Sequence, residues 1–256
     1  YQNLPDGTRL HFVQHGDGHR NLLFIHGNLA NTQWWEAVMA ALPSAFTSIA
    51  LDLPGSGNTP ETGHRHTIDY LAQVVHTFVT ARRLGRFTLI GHSMGGGVAQ
   101  LYTLNHPEGV ERLVLLDSIA ADGLPLVRDR GIALAVRMQK EPAVLERAIR
   151  AAMPHCQDES LLQRLVAAAA TASPQVFLEQ PVTMHEANWL DRVHQICVPT
   201  LFLHGAEDDL VPKAGSERTA SRIPHCVLKY LPGCGHSPNV EVPQLFVREM
   251  LAFLGA

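Results

Sequence analysis

Ser93 stands in the run Gly91-His92-Ser93-Met94-Gly95, with one glycine two residues before it and another two residues after. An apolar run at 87–90 leads into this turn, and the helical Val98-Ala99-Gln100-Leu101 leads out of it. Glycines at those two positions let a strand reverse into a helix without Cβ clashes, so the serine hydroxyl stands proud of the sheet edge. The next backbone N–H, from Met94, points at the same spot from the electropositive start of the helix. A serine hydroxyl is a weak nucleophile near neutral pH, so a base must take its proton and an acid must orient the base. His236 is the candidate base. It follows the apolar run 227–230 within Gly233-Cys234-Gly235-His236, where two glycines leave room for the imidazole to swing inward. Asp208, three residues after Gly205, is the first candidate for the acid. Asp209 beside it and Asp117, closing the run 113–116, are the alternatives. A second oxyanion donor is expected in the loop after 21–26, where Gly27 permits a turn that aims the Asn28 N–H at the same point. His26 reads as structural. Together these residue types suit nucleophilic acyl transfer through a covalent intermediate.

Bringing them together requires a sheet. Six short apolar runs, at 21–26, 48–51, 87–90, 113–116, 200–204 and 227–230, are bounded by Gly, Pro or Asp. Runs of this length suit strands buried on both faces of a parallel sheet. Helical spacing fills the intervals at 32–42, 67–84, 96–106 and 215–223. The alternation predicts an α/β fold, a mostly parallel central sheet flanked by helices with right-handed crossovers. Asp6-Gly7 predicts an opening antiparallel hairpin over 4–14. In such a sheet the loops carrying Ser93, Asp208 and His236 all emerge at the carboxyl edge. Residues 119–190 break the rhythm: no strand pattern occurs, and Pro125, Pro142, Pro154, Pro174 and Pro181 punctuate short helical stretches. That length is too great for a structureless loop, so a helical cap is expected there, inserted after the sixth strand into a core made of 1–118 and 191–256. Its apolar residues, Leu124, Met138, Leu145, Met153, Phe177, Met184 and Trp189, either hold the insert together or line a pocket. Met138, Phe177 and Trp189 are the candidates for substrate contact, with Trp34 of the Trp34-Trp35 pair bordering the entrance.

Composition excludes several classes of function. With 20 basic and 24 acidic residues among 256, the net charge of −4 does not provide the basic surface of a nucleic-acid binder. No apolar run reaches the ~18 residues of a membrane span, so no membrane partner is expected. Cys156, Cys197, Cys226 and Cys234 form no C-x-x-C pair, and Cys234 reads as a small filler. His64-x-His66 has no third ligand at matching spacing and reads as a solvated loop. Gly95-x-Gly97 followed by Asp117 imitates a dinucleotide fingerprint, but Gln100 occupies the third small-residue position. Neither a metal nor an organic cofactor is expected. A cytoplasmic location is expected, although a chain beginning at Tyr1 leaves a removed leader open. Oligomeric state is not set by these patterns.

Five motifs now stand in one order: His26-Gly27; Asp52-x-Pro54-Gly55-x-Gly57; Gly91-His92-Ser93-Met94-Gly95; Gly205-x-x-Asp208-x-x-x-Pro212; and Gly235-His236. Over essentially its whole length the chain resembles the α/β-hydrolase superfamily in its small, helically capped form. The resemblance implies Ser93 as nucleophile, Asp208 as acid, His236 as base and backbone oxyanion donors at Asn28 and Met94. The expected reaction is hydrolysis of small to medium, mostly apolar carboxylic esters or lactones. Carbon–carbon bond hydrolysis, acyl transfer, perhydrolysis and a low-turnover small-molecule receptor are the alternatives on the same residues. The insert carries no motif that selects among them.

Overall fold

Apolar residues alternate between two faces along each central strand, and that alternation builds the molecule. The computed structural model describes residues 1–125 and 128–256. Its main sheet has seven strands in the order β3-β5-β4-β6-β7-β8-β9. These are β3 (Phe12–His15), β4 (Arg20–Ile25), β5 (Phe46–Leu51), β6 (Phe87–His92), β7 (Val110–Leu116), β8 (Thr200–Gly205) and β9 (Cys226–Leu231). Only β3 runs antiparallel, against β5; the other pairings are parallel. Leu23, Ile25, Leu89, Leu113, Leu115 and Phe202 face one core, together with α2 (Ile68–Arg82) and α3 (Met94–Asn105). Their neighbours Leu22, Phe24, Ile90, Val114, Leu201 and Leu203 face the other, with α1 (Glu36–Ala40) and α11 (Pro243–Leu254). Both faces of the central strands β4 to β8 are therefore largely dry, as their apolar runs require. The edge strands β3 and β9 are largely exposed or half-buried, so the run 227–230 lacks the expected burial on both faces.

Two elements differ from expectation. The Asp6-Gly7 hairpin joins β1 (Gln2–Asn3) to β2 (Arg9–Leu10), a separate antiparallel pair, and β3 follows as a third short strand. The helical insert consequently follows the seventh strand in chain order, not the sixth. The second difference is α11, which the strand–helix alternation did not require. Phe246, Val247, Met250 and Leu254 give it an apolar face against the sheet, and Pro243 opens its first turn.

Between β7 and β8 the described residues form α4 (Arg128–Lys140), α5 (Pro142–Ala151), α6 (Glu159–Ala170), α7 (Pro174–Leu178) and α8 (Gln180–Glu186). Several of the prolines read as punctuation begin helices: Pro142 and Pro174 open α5 and α7, where a missing N–H costs nothing. The Asp158 side chain accepts the Leu161 N–H and caps α6, a contact worth about 1 kcal/mol. Met138, Leu145, Met153 and Phe177 join a third apolar cluster that reaches Leu29, Ala30 and Trp34 after β4 and Val240 in the short helix Pro238–Glu241. Met184 and Trp189 pack instead into the first core of the sheet, with Leu124 partly buried beside them. The ends of the insert are thus anchored in the sheet, and its middle rests on the loops at the sheet's carboxyl edge.

Candidate active site

Ser93 lies between the end of β6 and the start of α3 with φ 54° and ψ −120°. This backbone conformation is rare for a residue with a Cβ and stores about 1–3 kcal/mol. It is fixed from several sides. The Ser93 N–H donates to Leu116 O at 2.9 Å, and Ser93 O accepts N–H groups from Gly96 at 2.9 Å and Ile119 at 3.1 Å. A Cβ on Gly91 would strike the Gly95 carbonyl, and one on Gly95 would strike the carbonyls of Ile25 and His26. The two glycines are needed for close approach of backbone to backbone. Among the described residues, three of the four non-glycine residues with positive φ, Leu29, Ser93 and Asp117, lie in this region.

The loop after β4 closes directly over the serine. A Cβ built on Gly27 would sit 3.0 Å from Ser93 Cβ. Asn28 follows, and neither its N–H nor that of Met94 donates to any described residue. His26 sets the curvature of this loop: its Nδ1–H donates to Gly27 O at 2.7 Å, and its Nε2 accepts the Leu53 N–H at 3.0 Å. Burial holds the His26 pKa below its ordinary value despite the nearby Asp52. Its role is structural, as its position suggested. Asp52 is itself buried and accepts N–H groups from Thr32 at 2.7 Å and Asn58 at 2.8 Å, tying the next loop to the first helix.

His236 and Asp208 meet. His236 Nδ1–H donates to Asp208 Oδ2 at 2.8 Å, while Asp208 Oδ1 takes N–H groups from Leu210 at 2.7 Å and Val211 at 3.0 Å. Burial works against the Asp208 charge, but His236 and the two N–H donors outweigh it and leave the pKa at about 2. Asp209, the adjacent alternative, is exposed. Asp117, the other alternative, is buried on the far side of the pair, where it accepts the Gly205 N–H at 2.7 Å. The His236 loop is fastened to the serine turn through His92, whose Nε2–H donates to His236 O at 2.8 Å. The two imidazole centroids lie 4.9 Å apart. Burial first, and then the neighbouring His236, lower the His92 pKa to about 3, so His92 acts as a neutral donor. Among the described residues the Ser93 hydroxyl forms no hydrogen bond; such contacts are commonly long in unliganded enzymes and shorten around substrate.

Several supporting residues carry no signal in local spacing. The side chain of Asn28 reaches into the insert, donating to Val176 O at 2.9 Å and Gln180 Oε1 at 2.8 Å. Glu241 accepts the N–H groups of Gly235, Ser237 and His155, so one carboxylate holds both the His236 loop and the chain leaving α5. Asn239 donates to Trp34 O at 2.9 Å. Apart from the local contacts of Glu241 with Gly235 and Ser237, each joins residues far apart in the chain, beyond the reach of any pattern read along it.

The remaining candidates divide. Trp34 and Trp35 are both buried, so Trp34 does not border an open entrance; it stacks on His92 at 5.8 Å and packs with Met138 and Phe177 in the insert's cluster. Trp189 donates its indole N–H to Gln100 at 3.1 Å within the sheet core. His66 corrects the solvated-loop reading: it is fully buried, with Glu61 at 3.2 Å and Gln180 at 3.3 Å. His64 is exposed. Cys234 fills a buried gap, and burial pushes its thiol up to about 12. Among the described residues, one group of donors has metal-ligand proximity: Asp117, Asp208 and His236. Its Asp208–His236 contact is already closed by the shared proton at 2.8 Å, and both Asp208 oxygens accept N–H groups, so the group reads as a hydrogen-bond network.

The chain is similar to several known proteins. The chain is 28% identical to a non-heme haloperoxidase from Rhodococcus erythropolis, over 99% of this chain and 98% of the relative. It is 26% identical to a pimeloyl-[acyl-carrier protein] methyl ester esterase from Nitrosomonas europaea, over 93% and 96%. Its fold superposes on an esterase from Exiguobacterium antarcticum with a TM-score of 0.93 at 22% identity, covering 100% of this chain and 98% of the other. A model of the alpha/beta hydrolase family matches residues 22–249, which span β4 to α11 and hold the serine turn, Asp208 and His236 alike, and the chain belongs to that family.

Proposed function

We propose that the protein is a serine hydrolase that cleaves carboxylic esters or lactones through an acyl-enzyme on Ser93. The observation that carries this reading is the His236–Asp208 pair, joined at 2.8 Å and fastened by His92 to the turn that holds Ser93 in a strained conformation. With Nδ1–H given to Asp208, the Nε2 lone pair of His236 is the free proton acceptor. His236 takes the Ser93 proton as the oxygen attacks the substrate carbonyl. The N–H groups of Asn28 and Met94 receive the oxyanion, each worth about two to three orders of magnitude in rate. His236 then gives its proton to the leaving alkoxide, and water repeats the sequence to release the acid. The helices between β7 and β8 cap the site, with Met138, Phe177 and Trp34 as its apolar side. That lining favours uncharged substrates of small to medium size. The ester-cleaving name of the Nitrosomonas europaea relative supports this chemistry.

The test is turnover of a panel of short acyl esters, lactones and β-diketones by wild-type and Ser93→Ala protein. Ester or lactone hydrolysis that falls about 10⁴-fold in Ser93→Ala, with unchanged circular dichroism, is the expected result. Ester turnover persisting in the folded variant, or turnover confined to diketones, contradicts it.

A further inference from the structure

Asp117 takes no part in the mechanism above, yet it is fully buried beside the acid that does. It ends β7 with φ 43°, its N–H donates to Leu203 O at 2.9 Å, and its Oδ1 accepts the Gly205 N–H at 2.7 Å. Its Oδ2 is buried and has no hydrogen-bond partner among the described residues. One oxygen of Asp117, one of Asp208 and one ring nitrogen of His236 lie within 4.8 Å of one another. The groups facing Asp117 from the packed elements supply no cation. From the end of β8 comes His204, whose Nδ1 lies 3.7 Å away, pairs with Ser216 and is kept neutral by burial. From the loop after β8 comes the Asp208 carboxylate; from the His236 loop come His236, hydrogen-bonded to Asp208, and the Cys234 thiol, held neutral. Glu241 of α10 (Pro238–Glu241) adds a second, more distant negative charge.

An ionised Asp117 would set two carboxylates against each other in a dry site with one N–H to support it, an arrangement that buried charges do not sustain. A proton on Oδ2 resolves both the orphaned oxygen and the repulsion, because O–H to carboxylate is among the strongest hydrogen bonds available. We propose that Asp117 is a positioning residue: a neutral carboxylic acid that donates its proton to Asp208 and holds that carboxylate in line with His236. Burial and the adjacent Asp208 charge push the Asp117 carboxyl well above the usual carboxylate range, against the pull of the Gly205 N–H. The positioning role rests on the reading of Ser93, His236 and Asp208 given above.

Two variants test it. Asp117→Asn keeps an acceptor for Gly205 and an N–H donor for Asp208, and asparagine tolerates the left-handed backbone. Asp117→Gly also tolerates it but leaves Asp208 without this donor. The infrared difference spectrum of wild type minus Asp117→Asn at pH 7 is expected to show the C=O stretch of a protonated carboxyl. This arm needs no turnover, so it reports on the proton even if Ser93 proves not to be the nucleophile. In kinetics, Asp117→Asn is expected to hold kcat within about threefold, and Asp117→Gly to lower it about tenfold, with KM unchanged in both. The acid limb of kcat/KM, which reports His236, is expected to stay within about 0.3 pH unit in Asp117→Asn, because no charge has been removed. Absence of the carboxyl band, a downward shift of that limb by about one unit or more, or equal kcat in the Asn and Gly variants would overturn the proposal. Wild-type protein with no Ser93-dependent turnover would remove the positioning role and the underlying reading together, even with the band present.

Discussion

At the scale of single residues, the site divides into groups that react and groups that hold. In the proposed mechanism Ser93, His236 and Asp208 belong to the first kind, and their types and flanking glycines made them candidates in the sequence. The choice of acid shows where that legibility ends. Asp208 and Asp209 are adjacent, and spacing alone ranks them weakly. The decision comes from the loop, where Leu210 and Val211 turn back to donate to Asp208 and leave Asp209 in solvent. Asp208→Asn is therefore expected to lower kcat by about 10³-fold or more, because the amide favours the wrong His236 tautomer. Asp209→Asn is expected to stay within about twofold, as surface substitutions usually do. Steady-state kinetics on any accepted ester distinguishes the two, and comparable losses would reopen the assignment.

Secondary-structure elements were legible to the extent that one periodicity governed each of them. The six parallel strands are continuous apolar runs, and the structure extends most of them by one to three residues at their ends, where pairing continues through polar residues such as Thr47 and Arg112. The N-terminal hairpin and α11 were less accessible. The first is made of strands only two residues long. The second depends on an apolar face whose purpose appears only once the sheet needs cover. Least accessible was the seam between insert and core. Asn28, Gln180 and His66 form a chain of buried and part-buried hydrogen bonds from the loop after β4, through α8, to the loop before α2, continuing to Glu61. The bond from Gln180 fixes Asn28 from the insert side, so a change in α8 reaches the proposed oxyanion donor without touching substrate. Gln180→Leu is expected to lower kcat about tenfold while KM changes less than about threefold, since an oxyanion contact acts on the transition state. A rise in KM alone would show that α8 shapes the binding pocket instead.

For the whole molecule, the insert is bound at two places along the sheet's carboxyl edge: through Asn28 to the loop after β4 and through Glu241 and His155 to the His236 loop. Among the described residues, no helix is long and apolar enough to cross a membrane. The same dry packing sets a pH limit. His26, His92 and His204 are held below their ordinary pKa by burial, His92 down to about 3. Unfolding frees each to bind a proton near its ordinary value of 6.5, so between pH 6.5 and 3 these three imidazoles bind more protons in the unfolded chain, an excess that Asp117, whose carboxyl is raised in the folded state, offsets only in part. Stability is then fully present above 6.5 and is lost as pH falls through that window. Asp208 adds its own loss only below its unfolded value of 3.8, towards 2. Tm is expected to fall by roughly 5 °C or more between pH 6.5 and 4, and by less in His92→Gln. A flat Tm over that interval would mean that these imidazoles are already charged in the folded state.

In the proposed mechanism Ser93 becomes covalently attached during turnover with the help of His236. Intact-protein mass spectrometry after treatment with a fluorophosphonate, followed by peptide mapping, measures this. The expected result is one adduct per chain, located on Ser93, absent in Ser93→Ala and formed far more slowly in His236→Ala. An adduct on another residue, or labelling of Ser93 at an undiminished rate without His236, would contradict it.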